Sequence, residues 1–204
     1  MLYHAHQFRS SRYPALRFRS LAHVQWRHTI RVIGDPVLRV KATEITEITE
    51  NLARLTQDML STMYSAPGIG LAAPQVGVQK RLFVYDWGSG PGVLINPEIK
   101  DADGEWVFEE GCLSIPGLSW ELLRPKQVHI VGVDLEGKEV SFEADELESR
   151  LFQHEMDHLD GVLLVDHLDE DQRREANKTL MGIGDSIGPP LPIVRENLGL
   201  SQSD

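Results

Sequence analysis

One cysteine, Cys112, is present among 204 residues, so no disulfide can close within the chain. A lone thiol fits a reducing compartment, where it serves as ligand, nucleophile or core filler. No apolar run approaches the roughly 20 residues that a helix needs to cross a bilayer, which excludes a helical membrane span. Acidic residues are missing from the first 34 positions, which hold Arg9, Arg12, Arg17, Arg19, Arg27 and Arg31 together with His4, His6, His23 and His28. Against a total of −11, the rest of the chain therefore carries −17. Such an acidic body argues against tight, sequence-independent binding of nucleic acid and against direct readout of bases. The basic leader lacks the unbroken apolar core of a secretory signal. Its Arg and Ser content matches an organelle transit peptide, but the simpler reading is an extension outside the folded body.

The remainder has an ordinary globular composition, 41% hydrophobic and 25% charged, long enough for one domain with a proper core. Residues 1–28 read as the extension, 29–168 as the folded domain, and 169–204 as a short polar helix with a loose tail rich in Pro and Ser. Ile30–Ile33 reads as a short strand closed by Gly34-Asp35-Pro36. Leu52, Leu55, Met59 and Met63 recur at helical spacing, with Glu44, Glu47 and Glu50 near the start and Pro67-Gly68 as the stop. Arg81–Asp86, Val93–Ile95 (ended by Asn96-Pro97) and Glu105–Glu109 read as strands. Val128–Asp134 and Glu139–Phe142 form a hairpin about Glu136-Gly137. Val162–Val165 is expected to be extended and Asp169–Leu180 helical. The class is α+β: small β-sheets packed around one central helix.

That helix carries Gln153-His154-Glu155-Met156-Asp157-His158. His154 and His158 stand one turn apart on the same face, and Gly161 offers a left-handed stop. Two neutral imidazoles so placed can hold one divalent metal, with Glu155 beside the open position to take a proton from water, as in H-E-x-x-H hydrolases. A catalytic site wants a third protein ligand. The extended zinc-protease pattern puts a histidine at 164, where this chain has Leu164, and fails. A downstream carboxylate, Glu170 or Glu175, or the thiolate of Cys112, remains. Upstream, Gly68, Gly70 and Ala73 fit G-x-G-x-x-A formally. The dinucleotide reading still fails, because a helix precedes the segment and Pro74 obstructs one after it. It reads better as a loop whose glycines admit a close neighbour.

Three segments together carry a resemblance. Gly68–Gln75 is similar to G-x-G-L-A-A-x-Q, Glu110–Ser114 to E-G-C-L-S, and Gln153–His158 to Q-H-E-x-D-H, the signature motifs of peptide deformylase. The resemblance covers about residues 29–168 and implies removal of the formyl group from the N-terminal formylmethionine of nascent polypeptides, releasing formate. It implies Cys112, His154 and His158 as metal ligands, Glu155 as general acid/base, and the Gln75 amide with the Leu113 backbone N–H as oxyanion donors. Ile69 and Gly70 are implied to pair with the substrate backbone. One divalent ion per chain is expected, Fe2+ first, with Zn2+, Ni2+ or Co2+ able to substitute. A cytoplasmic monomer that meets the ribosome transiently is expected, or an organelle enzyme if the leader is a transit peptide. Ser119 stands where some bacterial members have arginine, so no substrate-binding arginine is expected there. The tail is not basic, which speaks against ribosome docking by a basic C-terminal helix. Asp157 is expected to support a ligand or the fold, and for Glu109 and Glu110 a structural ion pair stands beside a catalytic role. A metallo-endopeptidase, a cysteine hydrolase using Cys112 and a non-catalytic reader of formylated N-termini are the rival readings.

Overall fold

Two helices sandwich a short, wholly apolar strand, and that arrangement places everything else. The structure, a computed structural model, describes residues 28–66 and 68–182. The leader to residue 27, the expected helix stop at Pro67 and the tail from 183 lie outside the described residues.

Helix α1 spans Glu50–Ser65, capped by Thr49, whose side chain accepts from the Leu52 N–H at 3.3 Å. Of the three expected acids only Glu50 lies in its first turn; Glu44 and Glu47 precede it in extended chain. The strands are β1 (Gly70–Ala72), β2 (Leu82–Tyr85), β3 (Gly92–Asp103), β4 (Trp106–Cys112), β5 (Ile115–Arg124), β6 (Gln127–Val133) and β7 (Glu139–Asp145). Five of them form an antiparallel sheet in the order β1-β2-β3-β6-β7, while β4 and β5 pair only with each other. Helix α2 spans Glu146–Asp160 and helix α3 Glu170–Gly182.

Strand alternation sorts β2 between the helices. Leu82 and Val84 pack with Met59, Leu60 and Met63 of α1, whereas Phe83 and Tyr85 pack with Leu151 and Phe152 of α2. Both faces are therefore buried, which is why Leu-Phe-Val-Tyr is a continuous apolar run. Phe152 is fully buried, its ring centroid 5.2 Å from that of Tyr85 in an edge contact and 5.8 Å from Phe83. A third cluster joins Cys112, Ile115 and Leu122 of the β4–β5 hairpin to Leu38, Leu163, Leu164 and Ala176.

Three expectations change. Ile30–Ile33 is not a strand: Arg31 N donates to Gln75 O at 2.7 Å and Ile33 N to Ser114 O at 2.8 Å, so its β-branched residues strap two loops and build no ladder. Strand β3 does not end at Asn96-Pro97. The register breaks between Ile95 and Glu98, Asn96 takes φ 48°, and the strand resumes, the kind of irregularity at which a sheet accepts proline. The Asn96 amide meanwhile pairs with the Ile45 backbone through both its groups. Finally, Leu164–His167 is a 3-10 turn and not extended chain; the Asp166 side chain accepts from the Leu163 N–H at 2.8 Å and folds it over.

Candidate active site

Helix α2 is held at both ends. The Asp145 side chain caps its first N–H, and Gly161 closes it with φ 76°. A Cβ at Gly161 would also stand 2.9 Å from the Arg39 carbonyl, so both conformation and space require glycine there. His154, Glu155 and His158 are all buried on this helix.

The β4–β5 turn delivers the thiol. Cys112 Sγ lies 3.2 Å from His158 Nε2, and the ligand atoms of Cys112, His154 and His158 all fall within 4.8 Å of one another. Among the described residues no other group of three or more His, Cys, Asp or Glu side chains is gathered for a metal. Glu170 and Glu175 sit exposed on α3, apart from this group. One thiolate and two imidazoles suit a borderline divalent cation, with room for a fourth ligand. Burial alone would push the Cys112 thiol up, yet the charges on His158 and His154 outweigh it and bring it down to about 5.

Beneath the site lies a charged cluster with almost no solvent. His154 Nδ1 bonds Glu110 Oε1 at 2.7 Å, which leaves Nε2 for the site. Arg124 grips the same carboxylate with Nε and Nη2 at 2.8 and 2.7 Å, and Arg150 Nη1 adds a bond of 2.8 Å. Burial raises Glu110, but His154 and Arg124 overcome it and hold the carboxyl well below its ordinary range. Its charge thus stays fixed behind the ligand, the arrangement that orients metal-binding histidines. Asp157 supports the cluster through Arg124 at 2.9 Å and meets His167 at 2.7 Å. Glu109 is different: among the described residues it makes no ion pair, and it accepts from Ser119 Oγ at 2.6 Å at the surface.

Glu155 is buried, with Oε2 lacking a partner among the described residues. Burial outweighs the neighbouring imidazoles and raises its carboxyl from 4.5 to about 7. Gln75, at 2% exposed, has Oε1 fixed by the Ala72 N–H at 2.8 Å; its Nε2 donates to Ser114 Oγ at 3.1 Å and lies 3.9 Å from Cys112 Sγ. The Gly-rich loop is therefore a wall of the site. It resolves into β1 and a 3-10 turn over Ala73–Val76, and its glycines make room for side chains. A Cβ at Gly70 would stand 2.3 Å from Glu155 Oε1, and one at Gly68 would stand 2.8 Å from Leu113 Cδ1. A cavity opens over these groups, lined by Ile69, Gly70, Phe108, Leu147, Leu151 and Glu155 among others.

All eight residues singled out from the sequence meet around this cavity or its floor: Ile69, Gly70, Gln75, Cys112, Leu113, His154 and Glu155 line it and His158 lies under Cys112. The supporting residues Arg124, Arg150 and Ser114 were not anticipated. Arg150 had a signal, standing one turn before His154 on the same face of α2. Arg124 had none, because β5, with Pro116 and Gly117 near its start, does not read as a strand.

Fold and cluster together define a hydrolase built on an H-E-x-x-H helix. Comparison with known proteins narrows the class. The family model described as polypeptide deformylase matches residues 27–174. A peptide deformylase of Halothermothrix orenii is 52% identical over 139 residues, covering 67% of this chain and 90% of its own. The crystal structure of the Thermotoga maritima enzyme is similar at TM-score 0.69 and 46% identity, over 70% of this chain and 98% of that one. The structure of the Synechococcus elongatus enzyme in complex with actinonin gives TM-score 0.74 and 41% identity, over 83% and 95%. The chain belongs to the polypeptide deformylase family, hydrolases that take the formyl group from N-terminal formylmethionine.

Proposed function

We propose that this chain hydrolyses the formyl amide of nascent N-formylmethionyl polypeptides, with a divalent metal held by Cys112, His154 and His158. The observation that carries the reading is the buried thiol and two imidazoles gathered within 4.8 Å, with Glu155, whose Oε2 has no partner among the described residues, on the same helix as the imidazoles. An ion held by these three residues would supply Lewis acidity, lowering the pKa of a water toward about 7 and polarising the formyl carbonyl.

The chain's own groups do the rest. Glu155, buried beside His154 on α2, accepts the proton of the attacking water and returns it to the leaving amine as the C–N bond breaks. The Gln75 amide, already oriented by Ala72 and Ser114, and the Leu113 backbone N–H serve the oxygen on which negative charge grows. Strand β1 lies at the edge of its sheet. Ile69 O accepts from Asp86 N within the sheet, so by ladder alternation Gly70 turns its peptide groups to the open side. A substrate backbone can add there as a strand, and only its first side chain needs to be read in the cavity.

We take Fe2+ as the physiological ion, with Zn2+, Ni2+ or Co2+ as substitutes. The working form is a cytoplasmic monomer that meets the ribosome only in passing. Among the described residues, no helix is long and apolar enough to cross a membrane. The test is metal analysis of protein purified without oxygen, paired with formate release from a formyl-Met peptide. One ion per chain and formate production are expected, both lost in Cys112→Ala. Stoichiometric metal in that variant would overturn the three-ligand reading.

A further inference from the structure

The β4–β5 hairpin carries Cys112, yet neither of its strands pairs with the main sheet. The imidazoles stand on α2, so the geometry of the three-residue cluster depends on how this separate hairpin is fastened to that helix. One side chain makes three polar connections across this join, more than any other among the described residues. Arg150 of α2, its side chain 3% exposed, donates from Nη1 to Glu110 of β4, and from Nη2 to the carbonyl oxygens of Trp106 on β4 at 2.7 Å and Leu122 on β5 at 3.0 Å. Its guanidinium also lies 5.1 Å from the Trp106 ring centroid and 5.8 Å from that of Phe108, two rings stacked 4.6 Å apart.

We propose that Arg150 is a positioning residue that clasps both strands of the hairpin to α2, and thereby sets the thiolate-to-imidazole geometry and the aromatic wall of the substrate cavity. The planar fork is what suits it to the task. Three acceptors on two strands are reached at once while the flat face stacks on aromatic rings, which a single ammonium cannot do. Arg124 does not duplicate it. Arg124 belongs to the hairpin itself and reaches α2 through Asp157, farther along the helix. Arg150 instead stands four residues before His154 and shares Glu110 with it, so the carboxylate that orients the ligand is located from the helix side by Arg150. Phe108, stacked within this assembly, lines the cavity. A loosened clasp should therefore show in two places, metal retention and reading of the first substrate side chain.

The inference rests on Cys112, His154 and His158 being metal ligands, and the experiment separates the two. Full-length wild type, Arg150→Met and Arg150→Lys are loaded with Co2+. The visible spectrum, the rate of Co2+ release to a chelator, and KM for formyl-Met against formyl-Ala peptides are measured, with folding monitored by circular dichroism. If wild type shows no thiolate-to-cobalt absorption, the ligand reading fails and this inference with it. If it does, folded Arg150→Met should release Co2+ about 10–100-fold faster, with an altered ligand-field spectrum and a smaller preference for formyl-Met. Arg150→Lys, which keeps the charge beside Glu110, should fall between the two. An arginine that merely stabilises the fold would lower the melting temperature and leave spectrum, release rate and preference at wild-type values; that result overturns the proposal. Should Arg150→Met not fold, Arg150→Lys decides alone by the same readouts.

Discussion

Two of the histidine–carboxylate pairs among the described residues use the same residue types to opposite ends. On the solvent face of β6–β7, His129 Nε2 contacts Ser141 Oγ at 2.7 Å and its Nδ1 lies 3.9 Å from Glu143 Oε1, with side chains 34% and 77% exposed for His129 and Glu143. Named by residue type, this is a Ser-His-Glu arrangement. Beneath the active site, His154 Nδ1 meets Glu110 Oε1 at 2.7 Å with side chains 11% and 1% exposed. Water screens the first pair, whereas burial leaves the second in a medium of lower dielectric where the same contact counts for more. Among the described residues, no further hydrogen bond or ion pair fixes the Glu143 carboxylate. Burial and a backing of two arginines turn residue types into a site; proximity alone does not.

The largest expected effect breaks the buried side of that comparison at its reacting end. Glu155→Gln keeps the ligands and the shape but removes the group that moves the proton. Turnover should fall on the order of 10²–10⁴-fold while metal content, read by elemental analysis, stays at wild type. Near-normal formate release from a metal-replete variant would remove Glu155 from the mechanism.

That prediction was accessible from sequence, and the reason is physical. Ligands and proton carriers must be particular residue types at helical spacing, so His154, Glu155 and His158 announce themselves, and the 3.6-residue period also revealed α1. Support residues need only reach. Arg124 contacts Glu110 from across the hairpin, and no local pattern distinguishes it from a surface arginine. The same holds for backbone: Ile30–Ile33 reads as a strand because three of its four side chains are β-branched, although its partners are Gln75 in a 3-10 turn and Ser114 in the β4–β5 turn. Tertiary partners of irregular backbone leave no period to read.

Burial of Glu155 has a sign that can be checked. Its carboxyl is raised from 4.5 to about 7, so the fold favours the protonated form. The favourable state is fully present below the unfolded value and is lost as pH rises through about 7. Neutral Glu155→Gln should therefore stabilise the metal-free protein relative to wild type above pH 7, by about 3 kcal/mol at 1.36 kcal/mol per unit, with the gap closing toward pH 4. Denaturant unfolding at both pH values measures it. A gap that is constant with pH would mean Glu155 does not titrate as a buried acid.

Glu110→Gln tests the backing carboxylate. The side chain keeps its size and can still accept from His154, but loses the charge between Arg124 and Arg150. Metal affinity should drop about 10–100-fold, measured by competition with a chelator, in protein shown to be folded. Unchanged affinity would reduce the cluster to a packing device.

The smallest effect belongs to the surface pair and is the one that gives the comparison its edge. His129 sits mid-strand on β6, opposite Glu143 on β7 and Asp101 on β3, with the ladder bonds on either side made by backbone alone. Replacing it with alanine removes a 3.9 Å contact with Glu143 and one hydroxyl contact, both open to water, which takes over the freed groups. Pairs of this kind contribute about 0–1 kcal/mol, and exposed substitutions away from buried features stay within about 0.5 kcal/mol. His129→Ala should therefore melt near the wild-type temperature and release formate at the wild-type rate, with metal bound as before. If formate release instead fell tenfold at full metal loading, the solvent face would be contributing to catalysis, and exposure could no longer serve as the criterion that separates these two histidines.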